Sequence, residues 1–309
     1  MYVLYDKISD WEIDYIQKDI LRIEDISFEF LYLSREQFQT VEVDFPHVVH
    51  NNIFVFSSNK YLYKDVLRIV KALRPLVIVQ LSDEQGRKEM FMNLAKHTRL
   101  YLRNYNYNHY NLATYTNVLQ FPLGYTSGYL QGNSSCEILQ TWKPLHAREQ
   151  VWSFVGRLKQ DRQKMLRVFQ RHMKPYTMRT DGNVKPAEMF DIYNNSIFVP
   201  CGRGNMRLEC FRLYEVALAG AIPVVVGGEE EIQETFLFRP PFVFAKSWEE
   251  AEARCRGLLG SEELRTIQEN IQTWWSSCLQ DIHQRVHASI AFANLGNRVG
   301  EHTLCLHTQ

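Results

Sequence analysis

Short, solid runs of apolar residues recur along this chain, each followed by a stretch with helical spacing. In the first half they read NIFVFSSN (52–59), then YLYKDVLRIVKAL, PLVIVQLSDE, a helical pattern over about 86–97, RLYLRNYN and VLQFPLGY. Runs of this length without polar alternation belong to strands covered on both faces, and their alternation with helices predicts βα units on a mostly parallel sheet. Residues 126–148 break the pattern with Gly, Ser and polar positions of little periodicity, which reads as a linker. The alternation then restarts with VWSFVGRL, a helix over about 161–172, YTMRTDG, the helix PAEMFDIYNN, the strand SIFVPCG, a helix opening near Met206, AIPVVVGG and FVFA. The expectation is an α/β protein with two Rossmann-like doubly wound domains facing a central cleft. Their boundaries are 1–127 and 149–309, joined by 128–148. Leu264, Ile267, Ile271, Trp274, Trp275 and Leu279 recur at three- and four-residue steps, so the last fifth is a long helix that can pack back on the first domain.

The composition narrows what such a protein can bind. Lys plus Arg and Asp plus Glu both number 35, giving zero formal net charge, so no global field draws the chain to nucleic acid or anionic membrane. The longest apolar runs, AIPVVV (221–226) and LVIVQL (76–81), are strand-sized and far below the roughly 20 residues that span a bilayer. Without a basic-then-apolar leader the expected compartment is the cytoplasm, with the Golgi lumen as alternative if an N-terminal anchor is missing from the sequence. Cys136, Cys201, Cys210, Cys255, Cys278 and Cys305 show no CxxC pairing, which argues against a zinc knuckle or a disulfide framework. Sequons at Asn133 and Asn194 are of a kind that arises by chance. Nothing in the sequence sets an oligomeric state.

Open α/β sheets bind ligands where strands end and helices begin, because helix N-termini and glycine turns present unpaired N–H groups. In VPCGRGNMR a strand empties into Gly202, Arg203 and Gly204, with Arg207 close behind; in FVGRLKQDR another ends at Gly156 and Arg157, with Arg162 opening the next helix. Each alone is equally a plain turn with solvated arginines, but two glycine-arginine turns in one half suit a diphosphate. Between them and the apolar strand AIPVVV, Glu209, Arg212 and Glu215 fall within about 120° on a helical wheel. An exposed ion-pair ladder would give the same stripe. Glu215, however, sits among Leu213, Tyr214, Val216, Ala217 and Leu218, where a carboxylate needs donors such as ribose hydroxyls.

The segment CFRLYEVALAGAIPVVVG resembles the nucleotide-binding signature of the exostosin-like glycosyltransferases, through Arg212, Glu215, Ala219-Gly220 and Ile222-Pro223-Val224 in order and spacing. FVGR (154–157) and SIFVPCGRG extend the likeness over about 150–245, and PLG (122–124) is similar to the close of the first domain in ribitol xylosyltransferase-like members. Cys210 stands where the family usually has Ser. The resemblance implies a GT-B transferase whose C-terminal half holds a UDP-linked sugar. Glu215 would then take the ribose hydroxyls, while Arg212 and the Gly-Arg loops Gly156, Arg157, Arg162, Gly202, Arg203, Gly204 and Arg207 face the diphosphate. It also implies no metal and no cofactor beyond that co-substrate.

An inverting transfer needs a proton acceptor. Asp83 and Glu84 follow the strand LVIVQL at the expected cleft edge, where either is equally a helix cap. Asn104, Tyr105 and His109 in RNYNYNHYN suit a carbohydrate acceptor, and His109 is a second candidate base. His47 and His50 read as structural or exposed. The expected activity is transfer from a UDP-linked donor to a carbohydrate or glycoconjugate hydroxyl. The alternatives are a sugar-nucleotide epimerase or hydrolase on the same fold, and a non-catalytic carbohydrate-binding protein.

Overall fold

The computed structural model describes residues 1–34, 36–59, 61–105, 114–236 and 239–296. Its first sheet contains β1 (Tyr2–Tyr5), β2 (Glu29–Tyr32), β3 (Asn52–Ser57), β4 (Val77–Leu81), β5 (Leu100–Arg103) and β6 (Val118–Gln120), ordered β2-β1-β3-β4-β5-β6. The second contains β7 (Gln150–Val155), β8 (Tyr176–Arg179), β9 (Ser196–Pro200), β10 (Ile222–Val226) and β11 (Val243–Ala245), ordered β11-β10-β9-β7-β8. Every pairing is parallel.

The solid apolar runs are the central strands. β3 and β4 are buried at every position, as strands covered by helices on both faces must be. Helices α1 (Ile13–Tyr15), α2 (Gln37–Asp44) and α3 (Tyr63–Leu73) belong to the first half. α3 turns Val66, Ile69, Val70 and Leu73 inward at helical spacing. α4 (Ser135–Ile138) lies within the expected linker, and its N-cap Ser134 forms a reciprocal capping box with Glu137. The second half carries α5 (Arg162–His172), α6 (Pro186–Asn194), α7 (Phe211–Leu218), α8 (Glu229–Thr235), α9 (Trp248–Leu258) and the 35-residue α10 (Glu262–Gly296).

Two expectations change, and one strand had not been expected. The helix expected from Met206 starts at Phe211, because its N-cap Cys210 is extended at φ −155°, ψ 158°. Glu209 therefore precedes the helix and shares no helical stripe with Arg212 and Glu215. The pattern over 86–97 winds as a 3₁₀ helix, Glu89–His97. β2 had no sequence signal, being a half-exposed edge strand.

In both sheets the first strand lies between the second and third, so chain order reverses at β1/β3 and again at β7/β9. Loops leaving two such strands go to opposite faces and open a crevice at the strands' carboxyl ends. α10 joins the halves. Trp275 on it is 1% exposed, donates from Nε1 to Ser135 Oγ at 2.8 Å, and lies 6.1 Å from the ring of Tyr15 and 6.0 Å from that of Tyr214. His283 bonds the carbonyl of Asp19. Among the described residues no helix is long and apolar enough to cross a membrane, and Cys136, Cys201, Cys210, Cys255 and Cys278 are free thiols.

Trp275→Ala removes the largest side chain at this junction. A loss of about 3–5 kcal/mol is expected, read as a lower midpoint in urea unfolding; an unchanged midpoint would show that α10 does not hold the halves together.

Candidate functional site

The carboxyl ends of the two sheets face each other across a cleft of about 510 Å³. From the second sheet it receives Gly156 after β7, Gly182 and Val184 after β8, Gly204 and Asn205 after β9, and Arg212 and Glu215 on α7. Trp11 after β1, Glu84 after β4, Tyr105 after β5 and Thr126 come from the other side.

Arg212 closes the end of β7. Its Nε and Nη2 donate to the carbonyl of Val155 at 3.1 and 2.9 Å, and its guanidinium lies 4.9 Å from the centre of the Phe154 ring. Gly156 is what lets it in. At φ +147° a Cβ there would stand 2.3 Å from Arg212 Nη2, so a side chain would meet both backbone strain and a clash.

Arg162 is the second cation, 7% exposed. It ties the loop after β7 to the loop after β9 by donating to the carbonyls of Arg157 at 2.9 Å and Arg203 at 2.6 Å. Its Nε has no partner among the described residues. Burial, and then the charge of Arg212, push its pKa below the ordinary arginine value. Two neighbouring guanidiniums whose hydrogen bonds go mainly to carbonyls suit an anion, because dipoles orient a cation without cancelling its charge, even with the Asp161 and Glu215 carboxylates close enough to act on them.

Glu215 is 3% exposed. Its Oε1 accepts from the backbone N–H of Thr126 at 3.2 Å and from its hydroxyl at 2.8 Å, while Tyr129 donates to its carbonyl at 2.6 Å. Burial raises its pKa, against the lowering effect of Thr126. The second carboxylate oxygen takes no bond from a described residue, and Glu215 lines the cleft. Glu209 also lines it, though it precedes the helix: it is 2% exposed, receives the hydroxyl of Tyr214, and is pushed up to about 7, chiefly by burial.

Other expected site residues lie elsewhere. Arg203 forms a two-pronged pair with Glu231, and Arg207 meets Glu234 at 3.3 Å. Both point to α8, whose acidic face was not paired with them from sequence. Gly202 packs beneath Arg162, where a Cβ would lie 2.6 Å from Arg162 Cγ. Arg157 is exposed, with its side chain beside Gly182 at the cleft rim.

Asp83 does not reach the cleft. It is 1% exposed, pairs with Arg103 at 3.3 Å and accepts from the backbone N–H of Arg87 at 3.0 Å. Asn104 is fully buried and donates to Glu12 Oε1 at 3.0 Å; burial pushes Glu12 up to about 8. Tyr105 does line the cleft. His109 lies outside the described residues. Thr126, Lys159 and Asn205 in the cleft, and Glu12 behind it, were not expected from the sequence. Only Thr126 had a signal, as a polar residue directly after the strand-and-turn segment VLQFPLGY.

No protein-family model matches the chain, and no curated protein matches it. Solved structures do. HepE from Anabaena, in complex with UDP and glucose, superposes with a TM-score of 0.54 at 12% identity, covering 94% of this chain and 100% of that one. A mutant O-GlcNAc transferase from Thermobaculum terrenum gives 0.52 at 9% identity over 96% of this chain and 67% of that one. A glycosyltransferase from Rickettsia africae gives 0.50 at 11% identity, over 95% and 97%. The shared architecture is the GT-B fold, two parallel-sheet α/β halves around a cleft.

Asp83→Ala leaves Arg103 buried without this carboxylate and should cost about 3–5 kcal/mol of stability, measured by denaturant unfolding. A variant as stable as the native chain would contradict the buried-pair role.

Proposed function

We propose that this chain is a glycosyltransferase moving a sugar from a UDP-linked donor to a hydroxyl of a carbohydrate or glycoconjugate, with inversion at the anomeric carbon. One observation carries the reading: Arg162, Arg212 and Glu215 converge at the β7/β9 switch point. Two cations suit a diphosphate and a buried carboxylate suits the ribose hydroxyls. The same-fold structure of HepE is described with UDP and glucose, which supports a UDP-linked donor here.

In this reading residues 149–309 hold the donor, 1–127 hold the acceptor, and 128–148 link them. The chain is an exostosin-like member of the GT-B enzymes, working in a reducing, cytoplasmic compartment in keeping with its free thiols. Gly156, Gly204 and Gly202 let the backbone and Arg162 approach the diphosphate, with Lys159, which also lines the cleft, as a third cation. Arg157 guards the rim. Arg203 and Arg207 act one step removed, by fixing the loop against α8. These charges neutralise the leaving UDP without a metal or other cofactor.

Glu209 suits the proton acceptor better than Asp83 or Glu84. It lines the cleft with its pKa raised to about 7, whereas Asp83 is consumed by Arg103 and Glu84 stands against the 204–206 turn, on the phosphate side of the cleft. As the acceptor oxygen bonds to the anomeric carbon, that carbon's bond to the diphosphate oxygen breaks and the hydroxyl proton passes to the Glu209 carboxylate. Trp11 and Tyr105 provide aromatic faces for the acceptor, and Asn104 orients Glu12 behind them.

Calorimetry with UDP tests the donor site. Glu215→Ala should weaken binding at least about tenfold, roughly 1.4 kcal/mol; unchanged binding would refute the ribose role. With labelled UDP-sugars, product should form only with added acceptor, while label released or epimerised without acceptor would favour the hydrolase or epimerase. Glu209 is protonated below its pKa of about 7, so kcat/KM should rise through that pH. Glu209→Gln should lose this limb and about a hundredfold in rate; an unchanged profile would remove Glu209 from the chemistry.

A further inference from the structure

The loop after β4 meets the loop after β9 across the cleft. Glu84 Oε1 accepts from the backbone N–H groups of Asn205 and Met206 at 2.5 and 3.0 Å, and Oε2 from Asn205 Nδ2 at 3.0 Å. A Cβ on residue 204 would lie 2.6 Å from Glu84 Oε1, so the carboxylate fits because Gly204 has none. Two successive backbone N–H groups and an amide converging on one acceptor form an anion receptor.

The receptor is built from its own half of the molecule. Lys159 Nζ donates to Asn205 Oδ1 at 3.0 Å and Gln160 Nε2 to the Asn205 carbonyl at 2.5 Å. Gly204 N–H donates to the Arg207 carbonyl at 2.9 Å. Arg162 holds the preceding carbonyl of Arg203 and keeps its buried Nε unpartnered among the described residues. The glycine-arginine turn therefore carries an anion, and that anion is the protein's own.

We propose that Glu84 is an internal stand-in for the donor's diphosphate. It fills the 204–206 receptor in the nucleotide-free protein, ties the two halves across the cleft, and leaves when a nucleoside diphosphate arrives. This rests on the donor reading above. A carboxylate and a phosphate use the same acceptor chemistry, and both cannot occupy these N–H groups at once. A half-exposed carboxylate gains modestly from such a contact, while a diphosphate brings more charge and also reaches Arg162. The stand-in lowers apparent donor affinity by the fraction of molecules in which it is seated.

The test compares UDP, inorganic pyrophosphate and uridine by calorimetry on the full chain and on Glu84→Gln and Glu84→Ala. Both variants should bind UDP and pyrophosphate about fivefold tighter than the native chain, while uridine, which lacks phosphate, binds all three proteins alike. UDP binding of equal or lower affinity in the variants overturns the displacement and leaves the donor reading intact. A uridine affinity that rises in step with that of UDP also overturns it, since the gain would then not come from the phosphates. If none of the proteins binds UDP, the donor reading falls and takes this inference with it.

Discussion

The two hydrogen bonds from Arg212 to the carbonyl of Val155 set the geometry of the second sheet's side of the cleft. They fix where β7 ends, require glycine at 156, and bring α7 close enough for Glu215 to reach the cleft. Arg162 repeats the device one loop away by holding the carbonyls of Arg157 and Arg203. Both guanidiniums are placed by main-chain dipoles, which orient a cation without cancelling its charge. Among the described residues no carboxylate hydrogen-bonds either guanidinium, so part of their charge stays available to an anion.

The first half supplies the opposite wall through a different interior. Asp83 and Arg103 bury an ion pair behind the ends of β4 and β5, and this pair holds the loop from which Glu84 crosses to the 204–206 turn. α10 keeps the walls in register through Trp275, Ser135 and Tyr15. Thr126, just after the first sheet, bonds Glu215 directly. Glu215 is thus ordered by a residue outside its own sheet, so this part of the cleft is complete only when the halves are docked.

Much of the fold was legible because parallel strands buried on both faces leave solid apolar runs, as in β3, β4, β9 and β10. β2 escaped because an edge strand with exposed positions lacks that contrast. The lining of the candidate site was legible where local chemistry decides it. Gly156, Arg162, Gly204, Arg212 and Glu215 are all brought to the cleft. It was illegible where a partner distant in sequence decides it. Arg203 and Arg207 turn to the acidic α8, and Asp83 is taken by Arg103, which lies 20 residues on and on the neighbouring strand. Glu209 leaves the helical stripe because the extended Cys210 starts the helix only at Phe211.

Hydrogen–deuterium exchange with and without saturating UDP tests the central claim most directly. If the β7/β9 switch point holds the nucleotide, added protection appears at residues 155–157, 201–206 and 211–215, with only the 84 loop changing in the first half. Protection confined to the loops of the first sheet, or none at saturation, would contradict the account.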